Sequence, residues 1–171
     1  MYTIVFIGAG SNIDPETNLL SSLALLGKST AITGVSTFYR TPAIDRPEQP
    51  DYLNGVLSVE TDLLPGRLQE LLHAIERAAG RIRTEDRYAA RTLDLDILLF
   101  GDAIIRTGGL EIPDPDILTR PFLAAGLLEL APALVLPGQS EPLNESADPG
   151  AIAALKPEPE FTRRLKETLL K

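Results

Sequence analysis

A chain of 171 residues with 44% hydrophobic and 23% charged side chains has the size and composition of one globular domain, which excludes a disordered, collagen-like or membrane-bundle protein. Its 16 basic residues against 24 acidic ones give a net charge of −8, so bulk nucleic acid and anionic membrane surfaces should be repelled. The absence of cysteine excludes disulfides, thiolate zinc sites and a cysteine nucleophile, and it is compatible with the cytoplasmic location that we expect.

Hydrophobic periodicity, punctuated by proline and glycine, divides the chain into strands and helices. β-branched and aromatic runs predict strands, whereas leucines at helical spacing behind a proline predict helices. In chain order we predict a strand at 2–7, a glycine-rich turn at 8–12, a helix from Asp14 to Gly27, strands at 31–40 and 52–60, a helix from Pro65 to Gly80, a strand at 92–100, and helices at 121–130 and 161–170. This order predicts an α+β fold, a ferredoxin-like antiparallel sheet with helices packed on it in a single domain.

The C-terminal part of the chain has a different composition. Residues 139–160 contain four prolines and little apolar periodicity, which is typical of a linker. We therefore divide the chain into a main domain at 1–137 and a tail at 138–171 that consists of this linker and a short helix. We expect no chemistry in the tail.

Two aspartates interrupt the apolar strand predicted at 92–100. Because side chains alternate along a strand, Asp94 and Asp96 should share one face while Leu95 points to the other. Their Cα atoms would lie about 6.7 Å apart, where two unit charges repel by about 2.5 kcal/mol at an effective dielectric near 20. In a cleft such a pair needs a cation or arginines, and a set of oxygen ligands favours Mg²⁺. The spacing alone is also typical of a half-exposed strand whose polar face meets solvent.

Just upstream, the segment 76–91 concentrates positive charge on an acidic chain. It holds five arginines and three acids, a local charge of +2, whereas the other eleven basic and 21 acidic residues carry −10. Guanidinium groups suit polyphosphate oxygens, so an arginine segment leading into a carboxylate pair indicates a magnesium nucleoside triphosphate. The alternative is a solvated helix end whose arginines pair with neighbouring acids.

Several motifs resemble, in order, those of one enzyme family. The run RYAARTLDLDIL, from Arg87 to Leu98, resembles the signature of 6-hydroxymethyl-7,8-dihydropterin pyrophosphokinase, an enzyme of folate biosynthesis. The accompanying motifs are Gly10-Ser11-Asn12, Phe38-Tyr39-Arg40-Thr41-Pro42, Gln49-Pro50-Asp51-Tyr52-Leu53-Asn54, Glu76, Gly80-Arg81 and Arg120-Pro121-Phe122. The resemblance covers residues 3–137 and leaves out the tail, which makes 1–137 the expected catalytic domain.

The resemblance implies transfer of pyrophosphate from ATP to the hydroxymethyl oxygen of the pterin, with release of AMP. It implies that Asp94 and Asp96 hold two Mg²⁺ ions, and that Arg83 and Arg91 bind the triphosphate as catalytic residues. The residues implied on or near the ATP site are His73, Glu76, Arg81, Ile97 and Arg120. Those implied for the pterin site are Thr41, Pro42, Ile44, Tyr52, Asn54, Tyr88 and Phe122, with Tyr52 and Phe122 stacking on the ring.

Without these motifs, several of the residues have simpler interpretations. Tyr52 and Phe122 would be ordinary core aromatics, and His73 a surface histidine on a helix. Another function of a different class is a ferredoxin-like ligand-binding domain that keeps the fold without the chemistry. Of these two functions we expect the enzyme. We expect it to be a monomer that binds ATP and a dihydropterin and has neither nucleic acid nor membrane as a partner.

The chain also departs from the family pattern. Asp114, between two prolines, stands where the family usually has a phosphate-contacting histidine, and Tyr88 stands where the closing aromatic is often tryptophan. Gly109 and Glu111 replace side chains that often contact the nucleotide, and Thr84 replaces a common lysine. Because both metal carboxylates and the main arginines are present, we expect a working enzyme with modest affinity for ATP.

Overall fold

An antiparallel sheet forms the middle layer of the fold. The structure, a computed structural model, describes residues 1–171. Its strands are β1 (Thr3–Ser11), β2 (Ala31–Val35), β3 (Tyr39–Thr41), β4 (Tyr52–Thr61), β5 (Asp94–Phe100), β6 (Ile105–Thr107), β7 (Leu110–Ile112) and β8 (Lys156–Pro157). Its helices are α1 (Pro15–Leu26), α2 (Pro65–Ala78), α3 (Pro121–Leu130), α4 (Leu143–Ser146), α5 (Pro149–Ala153) and α6 (Pro159–Leu169), with a 3-10 helix at Pro115–Leu118.

The main sheet has the strand order β5-β1-β4-β3-β8, β2 also pairs with β4, and every pairing is antiparallel. β6 and β7 form a separate two-stranded sheet. Through β5, strands and helices follow one another in the predicted order β-α-β-β-α-β, with the second strand in two pieces. The predicted α+β fold, an antiparallel sheet with helices packed on it, is confirmed. None of the helices is both long and apolar enough to cross a bilayer.

Helices cover both faces of the sheet because the side chains of each strand alternate between them. On one face, Val5 and Ile7 of β1 pack with leucines of α1 and α2 and with Phe161 of α6 in the larger core. On the other face, Val56 and Leu98 pack against leucines of α3 in a second core. The site described below lies on this second face, next to the start of α3.

The glycine-rich segment predicted as a turn at 8–12 is mostly strand. β1 continues to Ser11, and Gly8 and Gly10 pair with both β4 and β5. A Cβ atom on Gly10 would lie 2.1 Å from Oδ1 of Asn54. Glycine is therefore needed here to let the Asn54 side chain approach the backbone of β1, and not to turn the chain.

The strand predicted at 31–40 is divided into β2 and β3. Between them, the hydroxyl of Ser36 accepts a hydrogen bond from the backbone N–H of Val56 at 2.9 Å, and Phe38 is fully buried. The Phe38 ring occupies the space above Gly55, where a Cβ atom would lie 2.4 Å from the ring. Because this ring must enter the core, the chain leaves the regular ladder and returns to it at Tyr39.

The tail is more regular than a linker. Within the predicted linker at 139–160 lie α4, α5 and β8, and α6 corresponds to the helix predicted at 161–170. Phe161 and Leu165 of α6 are buried in the larger core, so the tail packs on the main domain. Helices as short as α4 and α5 span too few residues to show helical periodicity, which explains why the sequence did not reveal them.

Candidate active site

Two adjoining cavities open on the second face of the sheet. The larger has a volume of about 400 Å³ and the smaller about 30 Å³, and they share Asn54, Asp94, Arg120 and Phe122. All seven residues predicted for the pterin line the larger cavity: Thr41, Pro42, Ile44, Tyr52, Asn54, Tyr88 and Phe122. Strands from the middle of the sheet, two loops and the start of α3 thus bring these scattered positions together.

The carboxylate pair of β5 forms the charged end of the cleft. Asp94 and Asp96 both line the small cavity, whereas Leu95 between them is buried in the larger core. In the ladder between β1 and β5, Asp94 lies opposite Gly10 and Asp96 opposite Gly8. The absence of a Cβ atom at Gly10 admits the side chain of Asn54, and a Cβ atom at Gly8 would lie 3.3 Å from the side chains of Leu98 and Leu123. These neighbours therefore line the cavity beside the carboxylates. The predicted placement of both aspartates on one face is confirmed.

The two carboxylates have different surroundings. Oδ1 of Asp94 accepts a hydrogen bond from Nη1 of Arg81 at 2.9 Å, and Oδ2 accepts one from Nη1 of Arg91 at 2.7 Å. Asp96 has no ion-pair partner of this kind and faces the cavity. The protein packed around Asp96 removes part of its hydration, and this effect, together with the negative charges of Asp94 and Asp114, raises the pKa of the Asp96 carboxyl. At the charged end, arginines thus offset the charge of Asp94, whereas burial and the neighbouring carboxylates disfavour the ionisation of Asp96.

Asp114 is a third carboxylate at this end. It lines the small cavity, and its Oδ1 accepts a hydrogen bond from the backbone N–H of Asp116 at 2.8 Å. Burial raises the pKa of its carboxyl, which the hydrogen bond from Asp116 opposes. Asp114 therefore adds an acidic group to the cavity that Asp96 lines, and its charge opposes the ionisation of Asp96.

Glu76 of α2 anchors the arginine segment. Its carboxylate is only 2% exposed and accepts hydrogen bonds from Arg81 at 2.5 Å, from Arg83 at 2.9 Å and from the backbone N–H of Leu95 at 2.9 Å. Arg81 in turn bridges Glu76 and Asp94. The buried glutamate therefore positions Arg81 and Arg83, although neither of these arginines lines the two cavities in the structure.

The other residues predicted near the nucleotide are placed unequally. Arg120 lines both cavities and pairs with Asp116 at 3.1 Å. His73 lines neither cavity; partial burial and the neighbouring Arg83 lower the pKa of its imidazole. The side chain of Ile97 is buried in the larger core, on the face opposite the cleft. The structure thus brings Arg120 to the cleft and does not bring the side chains of His73 and Ile97.

The aromatic end of the cleft is built from β3, β4 and the start of α3. Tyr52 and Asn54 are the first and third residues of β4. Nδ2 of Asn54 donates a hydrogen bond to Oγ1 of Thr41 at 2.7 Å. Tyr52 and Phe122 both line the larger cavity, but their rings do not stack on each other. Burial raises the pKa of the Tyr52 phenol above its ordinary value. This end offers two free aromatic rings to a flat ligand.

Asn12, at the end of β1, joins the two loops over the cleft. Its Nδ2 donates to Oε1 of Gln49 at 3.1 Å, and its Oδ1 accepts from the backbone N–H of Arg91 at 2.8 Å. Gln49 also donates to the backbone carbonyl of Tyr88 at 2.9 Å. From the sequence alone, Asn12 is indicated only as part of a motif and of a predicted turn. A short polar side chain directly after a buried strand was the signal that could have revealed it.

The donor set of the small cavity suits Mg²⁺. The acidic side chains that line it are Asp94, Asp96, Asp114 and Asp116, which offer only oxygen atoms as metal ligands. Mg²⁺ usually takes one or two carboxylates and completes its shell with water and substrate phosphates. No group of three or more acidic, histidine or cysteine side chains converges into a cage made by the protein alone. Asp94 and Asp96 therefore fit a metal that arrives with a phosphate ligand, and in the structure both oxygens of Asp94 accept hydrogen bonds from arginines.

Comparison with known proteins gives a consistent result. The model of the family described as "7,8-dihydro-6-hydroxymethylpterin-pyrophosphokinase (HPPK)" matches residues 6–132. Among similar proteins, the "2-amino-4-hydroxy-6-hydroxymethyldihydropteridine pyrophosphokinase" of Haemophilus influenzae is 40% identical over 135 residues, which cover 77% of this chain and 84% of that protein. The protein of the same name from Bacillus subtilis is 41% identical over 133 residues, covering 76% and 79%.

A similar fold occurs in a solved structure. The crystal structure of Plasmodium falciparum HPPK-DHPS with pteroate gives a TM-score of 0.63 at 12% identity, over 98% of this chain and 44% of that one. The chain therefore spans less than half the length of that protein, and the likeness is one of fold.

Proposed function

The chain belongs to the 7,8-dihydro-6-hydroxymethylpterin-pyrophosphokinase family, and on that premise we propose that it transfers pyrophosphate from ATP to the hydroxymethyl group of 6-hydroxymethyl-7,8-dihydropterin. The products are AMP and the pterin diphosphate, a step of folate biosynthesis. The observation that carries the proposal is the adjacency of the two cavities, because Asp94 of the charged end also lines the cavity with the aromatic rings. One ligand with a flat ring and a reactive hydroxyl can therefore reach both ends.

The aromatic end binds the pterin. Tyr52 and Phe122 supply π-faces for offset stacking on the ring, and the half-buried Asn54 supplies amide atoms that read its edge. Thr41 holds Asn54 in place through their hydrogen bond of 2.7 Å. Pro42 and Ile44, from the loop after β3, form the apolar wall of the same cavity. These contacts fix the orientation of the hydroxymethyl group relative to Asp94.

The arginines bind the triphosphate. Arg91 and Arg120 line the larger cavity directly, and Arg81 reaches its margin through Asp94. Arg83 extends from Glu76 with 59% of its side chain exposed, which leaves it free to swing toward an anionic ligand. A guanidinium group binds phosphate oxygens with two parallel hydrogen bonds, so these arginines orient the phosphates and offset their negative charge.

Asp94 and Asp96 would hold the two Mg²⁺ ions that arrive with ATP. When bound, these ions neutralise charge on the phosphate oxygens and act as Lewis acids at the transferred group. The protein supplies the geometry: β5 fixes both carboxylates on one face, opposite Gly8 and Gly10 of β1, which line the same small cavity. Catalysis then depends on positioning and on electrostatic stabilisation in a site shielded from water.

Two loops shield the reaction from water. The loop after β3 and the segment 81–91 meet over the cleft, where Nη2 of Arg46 and Oδ2 of Asp86 form an ion pair at 2.8 Å. Asn12 connects the two loops from below through Gln49 and the backbone of Arg91. Closure of these loops over bound ATP would exclude water from the triphosphate and suppress its hydrolysis.

The experiment that tests the function is an assay of AMP formation. Purified protein is incubated with ATP, Mg²⁺ and 6-hydroxymethyl-7,8-dihydropterin, and AMP and pterin diphosphate are separated by chromatography. We expect the two products in equal amounts, and none when the pterin or Mg²⁺ is omitted. A folded protein that binds the pterin and forms no AMP at millimolar ATP would instead be the non-catalytic ligand-binding domain. We further propose that the protein acts as a monomer in the cytoplasm.

A further inference from the structure

The tail passes around one edge of the sheet, from the second face to the first. α5 packs on α3, β8 pairs with β3 at the sheet edge, and α6 packs on α1. α6 places Phe161 and Leu165 in the larger core, where the Phe161 ring meets that of Phe38 edge to face at 5.7 Å. Both ends of the tail are therefore held by apolar packing, and the short strand between them has a fixed position.

Hydrogen bonds fix the tail where it crosses the sheet edge. The backbone N–H of Glu158 donates to the carbonyl of Phe38 at 2.8 Å, and the backbone N–H of Phe38 donates to Oγ1 of Thr162 at 2.9 Å. Nε of Arg40 donates to Oε1 of Glu158 at 2.6 Å. These bonds fix the register of β8 on β3, and with it the position of the residue that precedes β8.

That residue, Leu155, lines the larger cavity. Its backbone N–H donates to the carbonyl of Ile152 at 3.1 Å, and the next residue, Lys156, pairs with Arg40 of β3. Leu155 is half-buried, although it belongs to a tail that lies outside the region matched by the family model. A side chain from the tail thus completes a wall of the candidate pterin site.

The strand order places Leu155 far from the reacting groups. Asp94 lies on β5 at one edge of the sheet, and Leu155 adjoins β8 at the other edge. With strands about 4.8 Å apart, the four intervals between them span roughly 19 Å. Leu155 therefore contacts the end of the cavity opposite the carboxylates, where the transferred group does not reach.

We propose that Leu155 is a substrate-binding residue supplied by the tail, which closes the apolar end of the pterin pocket and takes no part in the transfer chemistry. The inference rests on the proposed function, because the pterin is the ligand of that pocket. Removing the Leu155 side chain should weaken pterin binding and leave nucleotide binding and kcat unchanged.

The test compares Leu155→Ala with Leu170→Ala, a change of the same residue type at an exposed position of the tail. For each full-length variant, one measures the Kd of 6-hydroxymethylpterin by fluorescence titration, the Kd of a non-hydrolysable ATP analogue with Mg²⁺, and the melting temperature. Because a lost apolar contact of this size weakens binding by about tenfold, we expect that increase in the pterin Kd for Leu155→Ala alone. Leu155→Met, which conserves volume, should restore binding to within about threefold of the wild type.

The outcomes separate this inference from the proposed function. If Leu155→Ala keeps the wild-type pterin Kd with an unchanged melting temperature, Leu155 is not part of the pocket. If Leu155→Ala and Leu155→Met both lose affinity for the pterin and the nucleotide to the same extent, and both melt at a lower temperature, the residue is structural and the inference is overturned. If the wild-type protein binds no pterin at all, the proposed function fails and the inference fails with it.

Discussion

The two ends of the cleft differ in how their side chains are held. At the charged end, Glu76, Arg81, Asp94 and Arg91 form a continuous chain of ion pairs with distances of 2.5 to 2.9 Å. At the aromatic end, the rings and apolar side chains are held by packing, and Asn54 with Thr41 forms the main side-chain hydrogen bond. The charged end is thus organised by electrostatics before any ligand arrives, and the aromatic end by shape.

This difference predicts a division of labour. A group that stabilises developing charge lowers the barrier of the reaction, whereas a wall that fits the substrate lowers the free energy of the bound complex and of the transition state alike. Changes at the charged end should therefore reduce kcat, and changes at the aromatic end should raise the KM for the pterin. The following predictions test this division, from the largest effect to the smallest.

Asp96→Asn should have the largest effect on the reaction. The substitution removes a charged ligand of the metal and retains the size of the side chain, so the transferred group loses electrostatic stabilisation. We expect kcat to fall by a factor on the order of a thousand in the AMP-formation assay, with the pterin Kd unchanged. Asp62→Asn, the same change at an exposed aspartate between β4 and α2, is the control and should retain full activity. Asp96→Asn activity within tenfold of the wild type would refute the role of this carboxylate.

Glu76→Ala should cause the largest loss of stability. It leaves the guanidinium of Arg81 and the backbone N–H of Leu95 without their buried partner, which should lower the free energy of unfolding by about 3 kcal/mol. The matched control is Glu70→Ala on the same helix. Glu70 and its partner Arg67 are both exposed, so the loss of this ion pair should lower the free energy of unfolding by less than about 1 kcal/mol. Urea denaturation measures both. Equal losses would contradict the anchoring role of Glu76.

Phe122→Ala should act on binding alone. The substitution removes one face of the proposed ring stack, so the KM for the pterin should rise by about tenfold while kcat changes by less than about threefold. Tyr2→Ala, which removes an aromatic ring that is 71% exposed at the N-terminus, provides the comparison and should leave both constants unchanged. A fall in kcat with an unchanged KM would place Phe122 in the chemistry and not in recognition.

The pH dependence of stability should reveal the crowding around Asp96. A carboxyl with a raised pKa keeps its proton in the folded state at a pH where the unfolded chain has lost it. Its contribution to the free energy of unfolding is therefore fully present below about pH 4 and is lost as the pH rises. With metal ions removed by a chelator, Asp96→Asn should therefore stabilise the protein near pH 7, because it removes the repulsion between carboxylates. The gain should be only about 1 kcal/mol, because water in the cavity screens that repulsion. Chemical denaturation at pH 4 and pH 7 measures the difference. A variant less stable than the wild type at pH 7 would contradict this charge balance.

Local patterns in the sequence predicted most of the fold. Strand alternation alone placed Asp94 and Asp96 on one face, and helical spacing located α2 and α3 within two residues of their observed ends. The resemblance to the family then brought the seven pterin-site positions together, and all seven line one cavity. Whether they bind the ligand as proposed remains a prediction for the experiments above.

The errors arose where a contact distant in sequence determines the structure. Gly10 suggested a turn, but it lies in a strand because Asn54 of the neighbouring strand approaches its backbone. The interruption after β2 follows from the burial of Phe38 above Gly55, and no local signal distinguishes that arrangement from a continuous strand. Leu155 lies in the segment predicted as a linker, and its position at the cavity depends on the pairing of β8 with β3. Burial and pairing of this kind cannot be read from periodicity.

The central claim is that the charged end performs the transfer and the aromatic end recognises the pterin. Its most direct test is the AMP-formation rate of Asp96→Asn and Phe122→Ala as a function of pterin concentration, at saturating ATP and Mg²⁺. We predict that Asp96→Asn lowers kcat with little change in the KM for the pterin, and that Phe122→Ala raises this KM with little change in kcat. If both variants alter the same constant to a similar extent, the two ends act as one unit and the claim is wrong.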